Sequence, residues 1–266
     1  MIQFHMKNRN SRFILSICII MLAWVSNANA SDNSGIKRFF TTNIDYGVDA
    51  HFSLGGSLPV NFPREIREIE SYNPGLQTGI GLHATKWFSD ARDWGIRLQA
   101  GVERKGMKTE ARVKNYLTEI IQDQSSVRGY YTGMVKTEVG NTFVVIPVSL
   151  VYGLSDRVNL YGGFRASFVI DKGFKGYVSD GYLRNETPVG DKISFEGDAR
   201  AAYDFSSEVN PVQWGTQLGA EWAWRNNLKI FSHIDYTFTS LLDKDFSAIS
   251  FNMHNIYLNI GFGYNF

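Results

Sequence analysis

His233 and Asp235 stand two residues apart in an alternating run, so both side chains project to one face of a strand. An Asp–His pair of this kind can orient an imidazole to take a proton from water or from a hydroxyl nucleophile. No nucleophile motif flanks the pair, and His83 and Ser167 join it only if the fold brings them there. A structural hydrogen-bonded pair in a polar interior is the plainer expectation, and no enzymatic activity is expected. The same polar parity recurs along the chain. It carries the cations Arg97, Arg165, Arg225 and Lys229 and the anions Asp45, Asp49, Glu103, Glu221 and Asp235. Charges of both signs on one buried face form either a salt-bridged plug or a narrow ion path. In a small barrel the interior is just wide enough to be filled by side chains, which favours the plug.

Other chemistry has little support. His51, His83, His233 and His254 show no metal-ligand spacing, and no glycine loop suited to phosphate is present. With 1 cysteine in 266 residues, neither a cysteine-built zinc site nor a disulfide framework is available. No metal or cofactor is expected. The formal net charge of +1 gives no reason to expect a nucleic-acid partner.

Three features of the chain locate these residues. Lys7, Arg9 and Arg12 precede an apolar run from Phe13 to Val25, followed by Ala28-Asn29-Ala30. This is a signal-peptide pattern with cleavage expected after Ala30, the small residues Ala28 and Ala30 being the ones read. The run is too short to span a bilayer comfortably as a helix, although a membrane anchor is the alternative. Cys18 lies within it and leaves with it.

Beyond it the chain divides into eight period-two runs, beginning near Ile44, Leu76, Trp94, Asn141, Val158, Gln213, Leu228 and Ile256. The fourth is apolar on both parities, and its faces are not assigned. Long connections at roughly 56–74, 106–139, 172–208 and 241–251 alternate with short ones at roughly 89–92, 153–157 and 225–227. The predicted fold is therefore all-β: an eight-stranded antiparallel transmembrane β-barrel with short periplasmic turns and long extracellular loops. Segment 1–30 would be the signal, 31–42 a short N-terminal stretch and 43–266 the barrel.

Aromatics on the apolar parity fit two interfacial girdles. Tyr46, Phe88, Trp94, Trp222, Trp224, Tyr264 and Phe266 would lie near the periplasmic rim, and Phe52, Phe168, Trp214 and Phe238 near the outer one. Lys86 and Arg104 share that parity but sit at strand ends, where they can snorkel. A soluble lipocalin-type barrel has the same period with the faces inverted and is the competing fold. Within the long connections, Lys108, Arg112, Lys114 and Arg128 lie among Tyr116, Tyr130 and Tyr131. Tyr177, Tyr182, Phe195, Tyr203 and Phe205 lie among many acids. These are candidate ligand contacts or a solvated surface, and the basic side chains could meet lipopolysaccharide phosphates.

The last eight residues read Asn259-Ile260-Gly261-Phe262-Gly263-Tyr264-Asn265-Phe266. Asn259, Gly261, Tyr264 and Phe266 match the signal recognised by the outer-membrane barrel assembly machinery. The chain resembles the PorT-like outer-membrane β-barrel family over most of 43–266. The marks are Pro74-Gly75, Phe88-Ser89-Asp90, Lys105-Gly106, Ile146-Pro147, Gly162-Gly163 and Gly219-Ala220-Glu221. The resemblance implies an integral barrel of the outer membrane. Its name-giving member serves protein secretion and gliding, so an envelope or secretion complex is the implied partner. The expected function is a structural or accessory role, with ligand binding or adhesion through the loops, or a small pore, as alternatives.

Overall fold

The computed structural model describes residues 41–266 apart from 60–62, 123–124, 226, 247 and 250. The expected signal segment, with Ala28 and Ala30, and most of 31–42 lie outside the described residues.

Eleven strands follow in order: β1 (Ile44–Pro59), β2 (Ile66–Asn73), β3 (Gln77–Trp87), β4 (Trp94–Gln122), β5 (Ser125–Ser155), β6 (Val158–Asp171), β7 (Phe174–Asn185), β8 (Lys192–Asp204), β9 (Val212–Arg225), β10 (Leu228–Thr237) and β11 (Met253–Asn265). Eight of them close a ring, β1-β3-β4-β5-β6-β9-β10-β11. Antiparallel pairing of β11 with β1, from Gly47↔Asn265 to Pro59↔Met253, shuts it. These are the eight strands expected from the period-two runs. Among the described residues no helix is long and apolar enough to cross a membrane; the strands do so.

The faces are those of a membrane barrel. Leu218 is 70% exposed and Phe164 71%, and Ile80, Leu82, Leu98, Leu150 and Phe262 also face outward, as do all the rim aromatics named above. Arg97, Gln217 and Asp235 are buried inside. Such an apolar belt cannot rest in water, so the lipocalin arrangement is excluded. The fourth ring strand resolves too: on β5, Val148 and Leu150 face out, while Phe143, Val145 and Val151 face in.

The connections at 106–139 and 172–208 depart from the sequence expectation. They are not loops. β4 and β5 run on past the barrel as a hairpin, paired from Gly106↔Gly140 to Gln122↔Ser125. β7 pairs with this extension of β5, and β8 pairs with β7. The Ile121↔Ala202 bridge returns β8 to β4, while β2 flanks β4. The result is an extracellular headpiece with its own apolar core, including Val113, Tyr116, Ile120, Tyr131, Val178, Leu183, Phe195 and Tyr203. Leu241, Leu242, Ala248 and Ile249, from the last connection, join that core.

The two halves meet at an inversion of face. On β4 the inward positions Arg97, Glu103 and Lys105 are polar and the outward Ile96, Leu98 and Val102 apolar. From Met107 onward the inward positions are mostly apolar (Val113, Tyr116 and Ile120, with Thr118 among them), and Lys108 and Arg112 point out to solvent. At the same level the descending strand breaks between β2 and β3 at Pro74 and Gly75, where Gly75 takes φ +62, a conformation that suits glycine.

Candidate functional site

The lumen gathers the charged residues because period two sends every second side chain inward. Small residues opposite make space for large ones. A Cβ at Gly47 would lie 2.3 Å from His83, one at Gly79 2.3 Å from His51, and one at Gly219 or Gly263 2.4 Å from His233 or Lys229.

Two clusters result. In the lower, Arg97 donates to Glu221 at 2.6 and 2.8 Å through both terminal nitrogens and to Thr85 at 2.8 Å. Lys229 donates to the same carboxylate and lies against His83 Nε2, each at 3.0 Å. His83 Nδ1 faces Asp49 at 3.0 Å. In the upper cluster Arg165 bridges Glu103 and Asp235, and Lys105 pairs with both carboxylates. Asn259 donates to Asp235 at 2.9 Å, and Lys105 lies 4.8 Å from the centre of the Tyr257 ring.

All seven lumen residues expected to form a polar network are therefore inside, in two groups: Arg97, Glu221 and Lys229 below, and Glu103, Arg165, His233 and Asp235 above. Four cations (Arg97, Lys105, Arg165, Lys229) meet four carboxylates (Asp49, Glu103, Glu221, Asp235). Such matching allows charges to be buried, since each ion is paired with one of opposite sign. Arg225 is corrected: it is exposed at the end of β9 and lies on Trp224, because a bulge beside Leu228 shifts the register there. Asp45 stays at the rim, paired with the exposed Arg92. Lys105, His51 and His83 are lumen members whose carboxylate partners no spacing in the chain points to.

The Asp–His pair is part of this packing. His233 Nε2 lies 3.4 Å from Asp235, and Nδ1 meets the Tyr161 hydroxyl at 3.0 Å. His83 is instead in the lower cluster. Among the described residues no group of three or more His, Cys, Asp or Glu side chains could hold a metal.

Apolar clusters flank the charges. Trp87, Val151 and Tyr161 form a buried cluster toward the periplasmic end, with Trp87 donating to Asp45 at 2.9 Å. The headpiece core lies beyond the other end. Tyr116, Tyr131, Phe195, Tyr203 and Phe205, candidate ligand contacts in the sequence, are buried in that core. Burial pushes the Tyr116 and Tyr203 phenols above their ordinary range, keeping them neutral. Tyr203 donates to Lys136 O at 2.9 Å. Tyr177 and Tyr182 remain on the outer surface, with Arg200 4.8 Å from the first ring and Lys192 4.7 Å from the second.

The C-terminal residues divide by face. Asn259 is fully buried and accepts from Ser53 at 2.5 Å. Gly261 sits against Phe231 and His51. Tyr264 and Phe266 point outward with ring centres 5.6 Å apart.

The model of the outer membrane protein beta-barrel domain matches residues 27–243. Among solved structures, Ail, the attachment invasion locus protein of Yersinia pestis, is similar at 13% identity and TM-score 0.39, covering 84% of this chain and 98% of its own. Neisserial surface protein A shares 10% identity at TM-score 0.32, covering 85% and 98%. The outer membrane protease OmpT from Escherichia coli shares 11% at TM-score 0.34, covering 85% and 97%. No curated protein matches the chain.

Proposed function

The chain belongs to the outer membrane protein beta-barrel domain family, and from that membership we propose that it is a non-conducting, non-enzymatic anchor. Its working surface is the headpiece, and its role is structural or accessory within an outer-membrane assembly. The carrying observation is the lumen, where four buried cations are matched to four carboxylates, the packing expected of a plug. Long strands that continue into a second apolar core support the same reading, since a merely solvated surface needs no core. A secretion-accessory role is its finer form, suggested by the resemblance to PorT-like barrels. Its surroundings would be outer-membrane lipid and lipopolysaccharide. The barrel assembly machinery would read Asn259, Gly261, Tyr264 and Phe266 during biogenesis, after export by a cleaved signal peptide.

A photo-crosslinking residue at Tyr177 or Tyr182, in intact outer membranes, tests this. Reproducible capture of an envelope protein from these positions, and not from the lipid-facing Leu218, is the expected result. Recovery of the barrel alone from all three, beyond assembly factors, would refute the accessory role. A second reading, ligand binding or adhesion by the headpiece, is favoured by Arg184, Lys192 and Arg200. They lie on the rings of Tyr182 and Tyr177, with no carboxylate at ion-pair distance among the described residues.

A further inference from the structure

Among the described residues three buried side-chain polar atoms have no hydrogen-bond partner within the chain: His51 Nε2, Arg165 Nε and Asp235 Oδ1. His51 and Arg165 line one void of about 40 Å³. The void lies where Gly81 and Gly101, paired across β3 and β4, offer the lumen no side chain. Its walls reach both clusters, Glu103 and Arg165 above and Asp49 and Gln217 below.

The lining decides the occupant. An apolar guest would desolvate charged and amide groups without compensation. An anion would meet the carboxylates Asp49 and Glu103, while Arg165 is already engaged by Glu103 and Asp235. A metal ion lacks a free ligand set. Water suits the site: it can accept from Arg165 Nε and either donate to or accept from His51 Nε2. One water needs roughly 10–15 Å³ on the same measure, and two to four polar partners.

We infer that this void is a water-binding site, filled by about two or three ordered waters that satisfy His51 and Arg165. The waters join the two ion-pair clusters into one polar column. His51 lies 3.7 Å from Glu103, beyond hydrogen-bonding range, so water supplies the link that the side chains do not make. The inference concerns the lumen and is independent of any headpiece partner.

The test is a water-contact NMR measurement on the full barrel, refolded in detergent with labelled histidine. A long-lived water signal at the His51 ring is expected. Gly81→Ala places a methyl in the void, and its Cβ would have as nearest neighbours Ala100 O at 3.2 Å, Gly101 Cα at 3.6 Å and Ala100 C at 3.8 Å. This variant should weaken the His51 water signal at least twofold and leave the His254 ring resonances in place. Absence of a water contact at His51 in the folded wild type, or an unchanged signal in Gly81→Ala, would overturn the assignment. Should the variant fail to fold, the wild-type spectrum and bromide-soaked crystals of the wild type still decide. An anomalous bromide peak in the void would show an anion site instead of water.

Discussion

Arg165 is the residue on which the upper cluster turns, because it bridges Glu103 and Asp235. Removing one partner of a buried ion pair leaves a charge without compensation, which costs about 3–5 kcal/mol. Arg165→Met is therefore expected to lower barrel stability by about that amount, measured as the urea midpoint in lipid vesicles. Adding Glu103→Gln restores the balance with Lys105 and should recover part of the loss; a double variant weaker than the single would contradict the pairing. Period two was enough to place these residues on the inner face from sequence. It could not choose partners, because Arg97 and Glu221 lie 124 residues apart and meet only when the ring closes. The same limit hid His83 from Asp49 and hid the two cations that pair with Asp235. His233→Ala should lose about 1 kcal/mol with the Tyr161 hydrogen bond, without changing any hydrolytic activity of the preparation.

At the scale of the strand, the inversion on β4 and β5 explains both what the sequence revealed and what it concealed. Alternation counted as apolar-out and polar-in ends near Lys105, so the run stops there and the remainder looks like a loop. The strand goes on with the faces exchanged, because its outer side has left lipid for water and its inner side packs on a second core. Bulges between Val113 and Tyr116 and between Thr132 and Met134 also break the count. Two substitutions separate the halves. Leu98→Arg, on the lipid face, should cost about 2–4 kcal/mol of barrel stability. Leu183→Ala, fully buried in the headpiece, should cost about 2–5 kcal/mol. That loss should appear as protease sensitivity of the 106–204 region on intact cells, with the heat-shifted gel mobility of the barrel unchanged. Equal effects of both variants on the barrel would contradict two separate cores.

The whole molecule is a membrane ring whose inside is filled with its own side chains. Trp87, Val151 and Tyr161 pack toward one end, matched charges fill the middle, and the headpiece core lies beyond the other end. What remains open to a partner is the outer surface of the headpiece. The most direct test is single-channel recording of the refolded protein in planar bilayers. The account predicts no conductance steps above the empty bilayer, with Arg97→Ala and Arg165→Met giving flickering openings as the plug loosens. Stable, reproducible channels from the wild-type protein would contradict it.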